Sequence, residues 1–204
     1  GVSDSGNGGS VTVSGGVGTA TNSGKVNIFT ANSGTNGVSG GILLRTGYSS
    51  VGDAGNIELN AGESTSAGNG GAIVITAGTS VASNGGAITI SAGLAANTGG
   101  NVNIISGRGT LVASGAVSIS SQDSRTSGTV KVSTGAANSG RSGAISIITG
   151  ASSVTSASSG SIMLSTGASS GGFGGDINLA VGTSGSGVGG EVSIAAGASG
   201  DGAG

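Results

Sequence analysis

The chain has 204 residues, among them 48 Gly, one Tyr and two Phe, with no Pro, Cys, His or Trp and a net charge of −2. So few bulky side chains cannot fill an ordinary globular core, and without Cys or His there is no disulfide framework, thiolate or imidazole metal site, or histidine base. Lys25, Arg45, Arg108, Arg125, Lys131 and Arg141 are scattered singly, which excludes a basic face for nucleic acid, and no apolar run reaches membrane-spanning length.

No signal-peptide or lipidation motif is present, so the targeting segment of a secreted protein is expected outside this stretch. After a loop over residues 1–8, the first predicted strand is Ser10-Val11-Thr12-Val13-Ser14. It opens a pattern, Gly-x-φ-x-φ-x-small-Gly, in which φ is Ile, Val or Leu and which runs through the whole chain. Thirteen copies open at Gly9, Gly24, Gly40, Gly55, Gly71, Gly86, Gly100, Gly115, Gly128, Gly143, Gly160, Gly175 and Gly190. All 26 φ positions are Ile, Val or Leu. Those types make up only 41 of the 204 residues, so random placement would put about five there. Such register, with only 7% charged residues, sets the chain apart from a disordered Gly/Ser linker. The absence of Pro and of a three-residue period excludes collagen.

The period of two places both φ residues of a copy on one face, so each copy reads as a short strand with one buried side. Successive openings are 15, 16, 15, 16, 15, 14, 15, 13, 15, 17, 15 and 15 residues apart. Every odd-numbered interval is 15, and only the even-numbered ones vary. This alternation predicts an all-β fold, a parallel β-solenoid of two facing sheets, with about 30 residues (two 15-residue repeats) per coil. Residues 1–204 form a single repeat array on this reading, expected to continue in a longer protein. The constant arcs would be 16–23, 47–54, 78–85, 107–114, 135–142 and 167–174, and the variable arcs 31–39, 62–70, 93–99, 122–127, 150–159 and 182–189. Ser, Thr and Asn fill the arcs because they bond neighbouring backbone. A charge at Ile90 between facing sheets would cost several kcal/mol, whereas two residues added within 150–159 would cost under about 1 kcal/mol.

Few residues carry chemistry. Gly18-Thr19-Ala20-Thr21-Asn22-Ser23-Gly24-Lys25-Val26 approaches a phosphate loop, but it has one residue too many between its glycines and Val where Ser or Thr would bind magnesium. Asp4, Asp53, Asp123, Asp176 and Asp201 are out of phase with the repeat, unlike the aspartates of calcium β-rolls. Asp123 and Arg125 share an arc and are placed to pair. Glu58 and Glu63 lack the aromatic platform that a sugar-cleaving pair would use. A water-ordering surface would need a Thr ladder. The outward positions instead read Thr12, Leu43, Val74, Asn103, Lys131, Met163 and Ser193 in one sheet, and Asn27, Glu58, Thr89, Ser118, Ser146 and Asn178 in the other. Leu43, Val74, Met163, Ile105 and Phe29 are outward apolar residues suited to lateral packing. No catalytic, cofactor-binding or metal-binding residue is singled out, no cofactor is expected, and the chain does not read as an enzyme.

The segments Gly85-Gly86-Ala87-Ile88-Thr89-Ile90-Ser91-Ala92-Gly93 and Gly189-Gly190-Glu191-Val192-Ser193-Ile194-Ala195-Ala196-Gly197 resemble long repeats in large predicted extracellular proteins of diatoms and related algae. The resemblance implies a surface or secreted fibrous protein with an adhesive role, and it carries over no functional residues. The expectation is therefore a structural extracellular fibre, sheath or adhesive component. Its partners would be further copies end to end and side by side, or a polysaccharide matrix. The alternative is a ligand-binding solenoid that takes ice or polysaccharide. No Asn-x-Ser/Thr sequon is present, so N-glycosylation is not expected.

Overall fold

An opening glycine carries no Cβ and can approach other backbone more closely than any other residue, and the copies use that freedom repeatedly. The chain is described by a computed structural model over residues 6–154 and 157–197. It divides into two units, Gly1–Asn103 and Ile104–Gly204, with the boundary inside the seventh copy. In the first unit Gly24, Gly40, Gly55, Gly71, Gly86 and Gly100 stand against the sixth residue of the preceding copy, in turn Gly15, Thr30, Thr46, Ala61, Ala77 and Ala92. In the second, Gly115, Gly128, Gly143, Gly160, Gly175 and Gly190 stand against Ser106, Ser121, Thr134, Thr149, Thr166 and Val181. A Cβ on Gly86 would lie 3.3 Å from that of Ala77, and one on Gly190 only 2.6 Å from Cγ1 of Val181. The sixth residue is small because the next opening glycine packs on it.

Backbone hydrogen bonds close several of these joints. In the first unit Gly24 N–H donates to Gly16 O at 2.8 Å, Gly71 to Gly62 at 2.8 Å, Gly86 to Gly78 at 2.9 Å and Gly100 to Gly93 at 2.9 Å. Gly115 donates to Gly107 at 2.9 Å in the second unit. The hydroxyl of Thr30 donates to Gly40 O at 3.0 Å. Serine at the third position of an arc bonds local backbone: the hydroxyls of Ser49 and Ser184 donate to the carbonyls of Val51 and Ser186. Those of Ser80 and Ser169 accept from the amides of Ser83 and Gly172.

The expected solenoid is overturned. No helix and no strand occurs among the described residues, so there are no parallel sheets and no 30-residue coil. The reason lies in the joints. Two facing sheets stand about 10 Å apart, so an arc between them must hold its ends at that separation. In five arcs the ends instead meet at hydrogen-bond distance. Constant arcs (16–23, 78–85, 107–114) and variable arcs (62–70, 93–99) close with the same bond, so extra residues are looped out and do not alter the spacing. At these joints the alternation of intervals is matched by no alternation in how the arc closes.

Burial follows the joints as well. No described residue is buried. The first φ residue of each copy is nevertheless shielded to the same degree, 48% to 55% exposed from Val26 to Val192, whereas Val11, which no joint precedes among the described residues, is 92% exposed. The second φ residue is 62% to 75% exposed, except for Ile194 at 88%, which no joint follows among the described residues. Each φ residue lies two positions from a joint, and side chains two apart in an extended run share a face, so the joint that draws Gly86 onto Ala77 also turns Ile88 and Ile75 toward one side. Positive φ accounts for few of the glycines: among the described residues it occurs only at Gly52, Gly140 and Gly187. Close approach accounts for more.

Two predictions follow from this geometry. Ile90 is 69% exposed, not enclosed between sheets, so Ile90→Asp is expected to change stability by no more than about 0.5 kcal/mol and to leave the Gly86 and Gly100 amide signals in place by NMR. A Cβ on Gly109 would collide with the carbonyl oxygen of Ala113, whereas one on Gly107, in the same arc, meets nothing within 4 Å. Gly109→Ala should abolish slow hydrogen exchange at the Gly115 amide, and Gly107→Ala should preserve it.

Candidate functional site

The third copy leaves its extended run through Arg45, Thr46, Gly47 and Tyr48, and these four consecutive residues line a crease of about 360 Å³. Thr46 is the sixth residue of its copy and is held at the joint, with its Cγ2 3.5 Å from where a Cβ on Gly55 would lie. Thr46 thus lies between the Arg45 guanidinium and the chain's single Tyr, whose side chain is almost fully accessible. Arg45 and Tyr48 can donate hydrogen bonds to an anion or a sugar hydroxyl. Ligand pockets draw convergent polar groups from several elements, and this crease is lined by one short stretch. No repeat position or motif in the sequence marks it. The only available signal was a lone Tyr three residues from an Arg.

The other residues weighed for chemistry remain apart. Among the described residues, Asp53, Asp123 and Asp176 included, no three acids come together in a group able to hold a metal ion, and Asp4 and Asp201 lie outside the described residues. Glu58 and Glu63 join no such cluster either. Asp123 and Arg125 form no ion pair despite sharing an arc. In the stretch that approaches a phosphate loop, the Gly24 amide, which would face a ligand, is spent on Gly16 O, and a Cβ on Gly18 would lie 2.5 Å from the Asn22 carbonyl oxygen. That loop is filled by its own backbone.

The outward rows expected on two sheets do not exist, because no sheet aligns them. Leu43, Val74, Met163, Ile105 and Phe29 are strongly exposed, but so are the arc residues Val38, Leu94, Leu111 and Phe173. Apolar exposure is thus a property of the whole repeat and not of one face. No helix among the described residues is long and apolar enough to cross a membrane. Comparisons with protein-family models, curated proteins and solved structures give no match.

Calcium binding needs six to eight oxygen ligands, roughly, from several carboxylates and carbonyls. No group of three carboxylates forms among the described residues to supply them, so millimolar calcium or a chelator is expected to leave the amide NMR spectrum unchanged.

Proposed function

We propose that the chain is a structural component of an extracellular fibre, sheath or adhesive, whose apolar surface is covered by further copies of the same chain. The observation that supports this reading is the lack of any buried residue among those described, combined with a pair of aliphatic side chains presented by every copy. The accessible surface is 19977 Å². A folded monomer of this mass exposes roughly 8,000 Å², and a fully unfolded chain roughly 26,500 Å². Most of the surface that folding normally removes from water is still open, and large apolar exposure of that kind marks an interaction surface.

A second copy suits the role because it repeats the same aliphatic pairs at the same intervals. The net charge of −2 over 204 residues opposes association only weakly. Gly, Ser, Thr and Ala in the arcs keep side chains short, so neighbouring runs can approach. The resemblance of the repeat to algal extracellular proteins supports a place outside the cell.

The test is association as a function of concentration, followed by light scattering and sedimentation. Replacing the first φ residue by Ser in six copies (Ile42, Ile57, Ile73, Ile88, Ile145 and Ile162) should raise the concentration needed for assembly at least about tenfold, since covering the open half of even two isoleucines contributes about 1.5–3 kcal/mol. A chain that stays monomeric at high concentration overturns the reading.

A further inference from the structure

Asparagine followed by glycine occurs at Asn7-Gly8, Asn36-Gly37, Asn69-Gly70 and Asn84-Gly85. In three of these a second glycine follows and is the opening residue of a copy: Gly9, Gly71 and Gly86. Two of those openings, Gly71 and Gly86, are closed joints, donating to Gly62 O and Gly78 O. The residue between asparagine and joint is the one whose amide matters chemically, and the amides of Gly70 and Gly85 donate no hydrogen bond among the described residues. The Gly37 amide, by contrast, is engaged with Gly34 O at 3.4 Å. Asn69 and Asn84 are both exposed. With no Cβ on the following residue, nothing screens its nitrogen from the asparagine side chain.

We infer that Asn69 and Asn84 are sites of spontaneous covalent modification, through succinimide formation with Gly70 and Gly85. The backbone nitrogen of Gly85 attacks Cγ of Asn84 and the new N–Cγ bond closes a five-membered ring. The Cγ–Nδ2 bond breaks, and the nitrogen leaves as ammonia with the proton lost from the attacking amide. Water then opens the ring at either carbonyl. Addition at Cγ leaves an aspartate, and addition at the main-chain carbonyl leaves an isoaspartate whose chain runs on through the former side chain. No oxidant, metal or enzyme is needed. Both products add a negative charge, and the isoaspartate also adds one carbon to the backbone two residues before the opening glycine, where the joint must close. Conversion at both sites would take the formal charge from −2 to −4. The inference is independent of whether the chains assemble.

The experiment is incubation of the intact chain at mildly alkaline pH, followed by peptide mapping by mass spectrometry and isoaspartate detection. Asn69 and Asn84 should convert severalfold faster than Asn36, whose following amide is engaged, and faster still than Asn22, Asn32 and Asn138, which precede Ser. A Cβ on Gly85 meets only Gly78 O, at 3.6 Å, an ordinary contact, so Gly85→Ala keeps the joint while hindering the attack. In that variant conversion at Asn84 should fall severalfold with Asn69 unchanged, and the persisting Gly86 amide signal verifies the joint. Equal rates at all these asparagines, or an unchanged rate at Asn84 in the variant, would overturn the inference.

Discussion

The structure depends on one kind of contact, an opening glycine laid against the small sixth residue of the copy before it. The requirement is steric before it is energetic. Backbone can come this close only where one partner has no Cβ and the other has a short side chain, which is why Gly recurs at the opening and Ala, Ser or Thr at the sixth position. Once the ends of an arc are that near, the amide of the opening glycine reaches a carbonyl at the start of the arc, and at several joints the bond forms. Val181 shows the limit of the rule. It is the largest residue at the sixth position, and its Cγ1 comes closest of these side chains to the space a Cβ on the opening glycine would occupy.

From the joints follows the gradient of exposure along each copy. The φ residues, two positions away on either side, are partly covered, and Val11 and Ile194, flanked on only one side by joints among the described residues, are covered least within their classes. The chain therefore orders its aliphatic side chains without enclosing them. This is the physical ground for reading it as a component completed by other chains. Among the described residues the same openness goes with no gathering of three or more acids in one place.

Much of the local order was legible in the sequence. The thirteen openings, the register of the φ residues and the arcs are all there in the spacing of Gly, Ile, Val and Leu, and the bonding role of Ser80 or Ser169 follows from serine chemistry. The coil was misread. In the pattern Ala77 and Thr134 are only small residues before a glycine, whereas in the structure they are the seats of Gly86 and Gly143. The signal for the joint was present as a glycine some nine residues after each small residue. A constant interval resembles a structural constraint even where arcs of seven, eight and nine residues close with the same bond. The crease beside Arg45 and Tyr48 could not be read at all, since no periodicity marks four consecutive residues.

Closure of unequal arcs by the same bond has a consequence for how such a chain can change over generations. A segment of seven residues and one of nine, 93–99 and 62–70, leave the backbone at the same kind of exit, so a codon gained or lost between joints does not propagate to the next copy. Duplication or deletion of whole copies by unequal recombination likewise rejoins a small residue to a glycine. The local geometry of a copy is thus insulated from changes of length in the arc before it.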